Sequence, residues 1–156
     1  MYRLADKEDL ENIVKFLTRS DIDNSFIKPL SQRGINVGER VYRKFVFGKW
    51  ILAEDDKKII GCCALVEKEY NKELEISTYV VDEKYRGQGI GSKIFDCALD
   101  TAKTYYPSDY TITFDSWKNS GICHIGMKRG FKFVKEIKGD SKRPKGILTV
   151  VYELKK

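Results

Sequence analysis

The feature that most constrains this chain is the stretch from Tyr79 to Tyr106, YVVDEKYRGQGIGSKIFDCALDTAKTYY. It opens on a β-rich run, Tyr79-Val80-Val81, and passes a polar turn from Asp82 to Tyr85. It then enters a glycine-dense loop, Arg86-Gly87-Gln88-Gly89-Ile90-Gly91-Ser92. Apolar residues follow at Ile90, Ile94, Phe95, Ala98, Leu99 and Ala102. Their offsets of 0, 4, 5, 8, 9 and 12 trace one buried face of a helix. A strand, a glycine loop and a helix in that order outline an anion cradle. The first four N–H groups of a helix have no internal partner and lie at the positive end of its dipole. Glycines let a ligand approach that backbone and accept φ > 0, and Arg86 adds a forked donor. A pyrophosphate is the natural occupant. The plainer alternative is a glycine-rich turn before an ordinary helix.

Length and composition bound the rest. A chain of 156 residues is expected to form a single domain, 1–156. A chain of that size buries roughly 70% of its unfolded surface without staples. No apolar run approaches a membrane span, and no signal peptide is expected, so a cytoplasmic protein is anticipated. Cys62, Cys63, Cys97 and Cys123 form no CxxC pair, and His124 is the single histidine. No metal site is expected, and the cysteines read as reduced, buried thiols. Residues 117–156 carry 11 Lys/Arg against 3 Asp/Glu, a charge of +8, while residues 1–116 sum to −2. The basic third suits a surface, the phosphates of a cofactor, or a nucleic acid, although no aromatic RNA-binding motif accompanies it.

The pattern along the chain predicts a short strand at Tyr2-Arg3-Leu4. A helix capped by Asp6 follows, with Leu10, Ile13, Val14 and Leu17 on one face. Residues 20–36, broken by Pro29 and Gly34, read as a loop. A second helix is expected over 37–47, with Val37, Val41, Tyr42, Phe45 and Val46 inward and Gly48 ending it. The period then shifts to strands at 50–54, 59–66 and 73–81, joined by short turns as an antiparallel meander. After the 90s helix come a strand at 110–115, a helix near 119–129 stopped by Gly130, and strands at 131–137 and 147–154. The order is β-α-α-β-β-β-α-β-α-β-β, an α+β layered domain on a mixed sheet of about seven strands.

The loop spacing fits neither a Walker loop nor a Rossmann fingerprint, because Gly87, Gly89 and Gly91 give GxGxG. Arg86-x-x-Gly89-x-Gly91 instead resembles the [QR]xxGx[GA] loop of the GNAT acetyltransferases. The later spacing of Asn119 and Gly130-Phe131 is similar to that family's second pattern, and the element order is that of its three-layer fold. The resemblance covers about residues 74–133. It implies an acetyl-CoA-dependent N-acetyltransferase acting on a primary amine in a ternary complex. By position, Tyr79, Val80 and Val81 would bond the pantetheine amides. Arg86, Gly87, Gln88, Gly89, Ile90, Gly91 and Ser92 would wrap the pyrophosphate, with Asn119 near the pantetheine arm. Dimers are frequent in the family, so a homodimer is one expectation.

One position departs. Where many family members place a general-acid tyrosine, this chain has Gly126. Losing a general acid typically costs about 10²–10⁴-fold in rate, so a slow enzyme and a non-catalytic acyl-CoA-binding module both remain open. The acceptor amine must be neutral to attack, which calls for a base. Glu73 and Glu75 lie two apart on a strand and therefore face one side. Glu75 aligns with the family's usual acidic position, and Asp115 is a further candidate. By the same alternation Tyr79 shares the face of Glu75 and becomes a substitute acid. The −2 balance of residues 1–116 hints at a cationic acceptor.

Overall fold

The switch near Trp50 from a helical period to short continuous apolar runs marks the heart of a seven-stranded sheet. The computed structural model describes residues 1–19, 22, 36–140 and 146–155. Its strands are β1 (Tyr2–Leu4), β2 (Gly48–Asp55), β3 (Lys58–Lys68), β4 (Glu73–Val81), β5 (Thr111–Trp117), β6 (Lys132–Ile137) and β7 (Thr149–Lys155). The described helices are α1 (Leu10–Leu17), α2 (Val37–Val46), α3 (Ile90–Tyr105) and α4 (Gly121–Lys128). The chain order is the expected β-α-α-β-β-β-α-β-α-β-β. The strands lie side by side as β1-β2-β3-β4-β5-β7-β6. Every neighbouring pair is antiparallel except β4 with β5, which the α3 crossover makes parallel.

The middle strands lack polar alternation because helices cover both faces of the sheet. Trp50 to Ala53 on β2 and Ile60 to Leu65 on β3 are buried without interruption. Two hydrophobic clusters result, one per face. Ile13, Phe16 and Leu17 of α1 and Val41 of α2 pack with Trp50, Leu52, Cys62, Ala64 and Val80. Ile90, Ile94, Phe95 and Ala98 of α3 pack on the other face with Ile51, Cys63, Leu65, Ile76, Ile112 and Phe114. Gly61 makes room for α3, since a Cβ there would lie 2.7 Å from the Ile94 Cδ1.

Local chemistry sets the boundaries. Asp6 does cap, but it caps a 3₁₀ turn over Lys7–Asp9, and α1 begins only at Leu10. Arg3 grips both carboxylate oxygens of Asp9 at 2.8 and 2.7 Å and reaches Glu54 at 2.6 Å, tying β1, that turn and β2 together. Asp56 and Lys57 take φ of 48° and 62°, the geometry of a two-residue hairpin turn. The inward face of α2 differs from the expected one: Tyr42 and Val46 are exposed, whereas Val37 and Val41 face inward with Lys44. Gly48 is a strand residue, not a helix stop. A Cβ there would fall 2.0 Å from the Leu65 carbonyl oxygen across the β2–β3 ladder. The loop expected over 20–36 falls almost wholly outside the described residues. Among the described residues no helix is long and apolar enough to cross a membrane.

Gly48 supplies a test of this packing. Gly48→Ala forces two central strands apart, and overpacking of that kind costs about 1–3 kcal/mol. The expected drop in the thermal midpoint is roughly 3–10 °C by differential scanning calorimetry.

Candidate active-site cleft

The sheet parts in its middle. β4 pairs with β5 only from Glu73 to Ile76, opposite Thr111 to Phe114. Beyond that point β5 follows β7 as far as Trp117, and β4 follows β3 as far as Val81. The β5-facing edge of β4 from Ser77 onward therefore has no strand partner, although backbone N–H and C=O groups need one. A cleft of about 770 Å³ opens at the fork, within the size range of ligand sites.

A bulge shapes one wall. The β3–β4 register slips between Cys62 and Ala64, so Thr78 and Tyr79 together oppose Cys63. Thr78 takes φ of 49°, a strained setting for a β-branched residue that demands surrounding support. Lys44 supplies some of it, donating from Nζ to Ser77 Oγ at 2.5 Å and to Thr78 Oγ1 at 2.6 Å. The extra residue also reverses the alternation. Glu75, Ser77 and Val80 pair with Val66, Ala64 and Cys62 and face α1 and α2, whereas Ile76, Tyr79 and Val81 belong to the α3 side. Tyr79 therefore does not share the face of Glu75. Strict alternation fails wherever a bulge inserts one residue.

At the α3 side the glycine loop behaves as its sequence suggests. Gly87 and Gly89 both take φ of 79°, with open space where a Cβ would be. Gly89 occupies the N-cap position without a side-chain cap, and the first turn of α3 contains no acid. Among the described residues the amides from Gly87 to Ser92 have no intramolecular acceptor. Gly91 answers to a different demand, because a Cβ there would sit 2.3 Å from the Tyr79 hydroxyl. Burial holds the Tyr79 phenol well above its usual pKa, so it keeps its proton at neutral pH. The loop is anchored at its start by Asp82. This buried carboxylate accepts from Lys84 N at 3.0 Å and pairs with Arg19 at 3.1 Å. Arg86 donates from Nε to the Val81 carbonyl at 3.3 Å.

Across the sheet, α2 and β3 add charge. Arg40, Lys44 and Lys68 line the cleft beside Glu75, with Asp115 entering from β5. Lys68 Nζ donates to Glu75 Oε2 and lies 3.9 Å from Glu73 Oε1. Burial pulls the Lys68 pKa down, but its bond to Glu75 and the charges of Glu75 and Glu73 outweigh this and raise it. The cleft is thus not the anionic surface that the −2 sum suggested, because a sum over 116 residues says nothing of which ones line a cavity.

Of the sequence-derived candidates, Glu75, Tyr79, Val80, Val81, Arg86, Gly87, Gly89, Ile90, Gly91, Ser92 and Asp115 line the cleft. Glu73, Gln88 and Asn119 are not among its lining residues. Glu73 sits at the paired end of β4 and accepts from Thr113 Oγ1 at 2.6 Å. Gln88 is exposed in the glycine loop. Asn119 is exposed and takes φ of 65° in the turn before α4, a conformation Asn tolerates. The N-cap of α4 is Ser120, whose hydroxyl bonds Ser116 Oγ at 2.8 Å. The residues missed from sequence are Arg40, Lys44 and Lys68. A signal for Lys44 existed: with Val37 and Val41 it completes a 0, 4, 7 spacing, a lysine on an otherwise apolar stripe. All four cysteines are free, and burial pushes Cys62 up to about 12 and Cys63 well above its usual value.

The sequence profile of the Acetyltransferase (GNAT) family matches residues 19–120. No curated protein matches the sequence. Among solved structures the chain is similar to the ribosomal-protein-S18-alanine N-acetyltransferase from Escherichia coli. The TM-score there is 0.77 at 11% identity, covering 99% of this chain and 92% of the other. It is also similar to an N-acetyltransferase from Staphylococcus aureus Mu50, with a TM-score of 0.75, 20% identity and coverage of 99% and 97%. A GNAT family acetyltransferase from Elizabethkingia anophelis with acetyl-CoA bound matches at a TM-score of 0.60 and 22% identity, over 76% and 82%.

Gly126 is explained by packing. A Cβ there would lie 2.6 Å from Phe114 Cε1, inside the aromatic group of Phe95, Phe114 and Phe131. Gly126→Ala is expected to cost about 1–3 kcal/mol in a denaturant titration. Gly126→Tyr should cost more and introduce no working proton donor, because that face of α4 abuts Phe114.

Proposed function

The chain belongs to the GNAT acetyltransferase family, and on that premise we propose that residues 1–156 act as one N-acetyltransferase domain that uses acetyl-CoA to acetylate a primary amine. The observation carrying this reading is the uncapped, acid-free start of α3 opening on a cleft that runs through the split sheet. The residues fit the group. Amides from Gly87 to Ser92 without an internal acceptor, set in left-handed glycine turns, suit a diphosphate, and Arg86 brings a cation to the same loop. The unpartnered edge of β4 at Tyr79, Val80 and Val81 offers backbone donors and acceptors to the pantetheine amides. When bound, acetyl-CoA supplies an acyl group activated as a thioester.

The protein's own groups divide by face. Glu75, held by Lys68, is the group to take the acceptor's proton, directly or through water, with Asp115 of β5 lining the same cleft. Tyr79, on the α3 side and protonated at neutral pH, is the proposed acid, its hydroxyl lying against Gly91 in the first turn of α3. This places base and acid on opposite sides of one sheet, an arrangement the bulge at Thr78 creates. Free thiols, buried at Cys62, Cys63 and Cys123 and half-buried at Cys97, support a reducing, cytoplasmic setting. A second reading, a binding-only module, is favoured by one observation: the family's general-acid position is Gly126, closed off by Phe114.

Calorimetric titration and a thiol-release assay with an amine panel separate these readings. Saturable acetyl-CoA binding with amine-dependent thiol release supports the enzyme. Binding without release to any amine supports the module, and no binding at millimolar cofactor removes both. Gly89→Ala puts a Cβ on a left-handed residue at about 1–2 kcal/mol, so acetyl-CoA should bind roughly tenfold more weakly. Glu75→Gln should lower kcat by about 10²–10⁴-fold with acetyl-CoA affinity retained.

A further inference from the structure

The acceptor side of the cleft carries more cation than an amine-binding site requires. Arg40 lies one turn before Lys44 on α2, and both line the cleft. Arg40 is exposed, and among the described residues its guanidinium makes no hydrogen bond or ion pair. Lys68 is engaged with Glu75, and Lys44 reaches across to Ser77 and Thr78 at the bulge. Ser77 and Glu75 are two residues apart on one face of β4, roughly 7 Å at strand rise. Arg40 and Lys44 are about 6 Å apart along the helix axis. A carboxylate that takes a proton from the amine thus has two cations within the reach of a small molecule. These cations do not belong to the diphosphate site. α2 packs on the sheet face of Cys62 and Ala64, whereas the glycine loop opens α3 on the opposite face.

Resting on the acetyltransferase reading above, we infer that the acceptor is a primary amine carrying a carboxylate a few bonds away, with Arg40 as the residue that binds the carboxylate and Lys44 beside it. The amine lies toward Glu75 and the carboxylate toward α2. Such an acid-bearing amine can be a free amino acid or the N-terminus of a peptide whose next side chains are acidic, and the two share this chemistry. Polyamines and simple alkylamines would bring a second cation, or nothing, to face Arg40.

The test compares kcat/KM for amino acids against their C-terminal amides, for tripeptides with acidic against neutral second residues, and for a polyamine. A charge-assisted contact of this kind corresponds to about 10–100-fold. The acid form of one pair should be favoured by that factor, and which pair shows it tells the free amino acid from the peptide. In Arg40→Gln the acid-to-amide ratio should fall toward one while the Kd for acetyl-CoA is unchanged, and Arg40→Lys should restore part of the ratio. Equal use of acid and amide, preference for the polyamine, or weaker acetyl-CoA binding in Arg40→Gln would overturn the inference. Should no amine release thiol, the transfer reading fails, and this one is read instead by equilibrium binding to the coenzyme A-loaded protein. N-acetylglycine bound more tightly than N-acetylglycinamide, with the difference lost in Arg40→Gln, upholds it; equal binding overturns it.

Discussion

Everything in this structure depends on the parting of β4 from β5 after a four-residue parallel ladder. Each strand keeps its outer partner, β3 on one side and β7 on the other, so the fork is held open by two continuous antiparallel ladders. Opening a sheet in its middle is costly in principle, because each inner edge presents N–H and C=O groups without a ladder partner. A ligand with its own amides can complete the missing pairing, and the start of α3 lies where such a ligand's charged end would emerge. The bulge at Thr78 belongs to the same constraint. It bends the strand at the fork, and Lys44 helps to hold its strained backbone by bonding both neighbouring hydroxyls.

Rigidity around the loop comes from packing, not from the loop itself. Ile90 is buried and Ile94 and Phe95 are fully enclosed, with Ile94 fitted against Gly61 on β3. The Tyr79 hydroxyl occupies the space that Gly91 leaves open. Asp82 and Arg19 close the entrance to the loop from the α1 side. A buried carboxylate of this kind is strongly destabilising when its partner is removed, even where the pair adds little net stability. Its value lies in placing the turn. Amides pre-set by such contacts need little reorganisation when an anion arrives, which is the general advantage of a preorganised site.

What the sequence made legible followed local rules. The strand–glycine–helix stretch, the meander and the element order rest on periodicity and turn chemistry within a few residues, and β4 was bounded at the residues observed. What it hid depended on contacts between distant segments. Gly48 reads as a helix stop because glycine has that local meaning, yet its role is set by the Leu65 carbonyl on the next strand. The face of Tyr79 was misjudged because a bulge leaves no mark in the letters Ser77-Thr78-Tyr79. The spacing of Asn119 says nothing of its local setting, an exposed left-handed turn just before the Ser120 N-cap of α4. Arg40 and Lys44 share α2 at a four-residue spacing, but Lys68 comes from β3, and only tertiary packing brings the three to one cleft.

The two faces of the sheet explain why acceptor and donor requirements need not compete for the same residues. On the proposed reading, the groups for a diphosphate lie at α3 and those for an acceptor at α2 and β3. The strand between them changes parity at Thr78, so Glu75 looks one way and Tyr79 the other. Arg40 on the α2 wall can therefore change without touching the glycine loop, whereas Lys44 is tied to the bulge through Ser77 and Thr78. The closed position at Gly126 fits this separation. With Phe114 stacked on Tyr152 at 5.3 Å and edged by Phe95 at 5.9 Å, that part of α4 serves the core, and the proposed proton-handling groups, Glu75 and Tyr79, both belong to β4 at the fork.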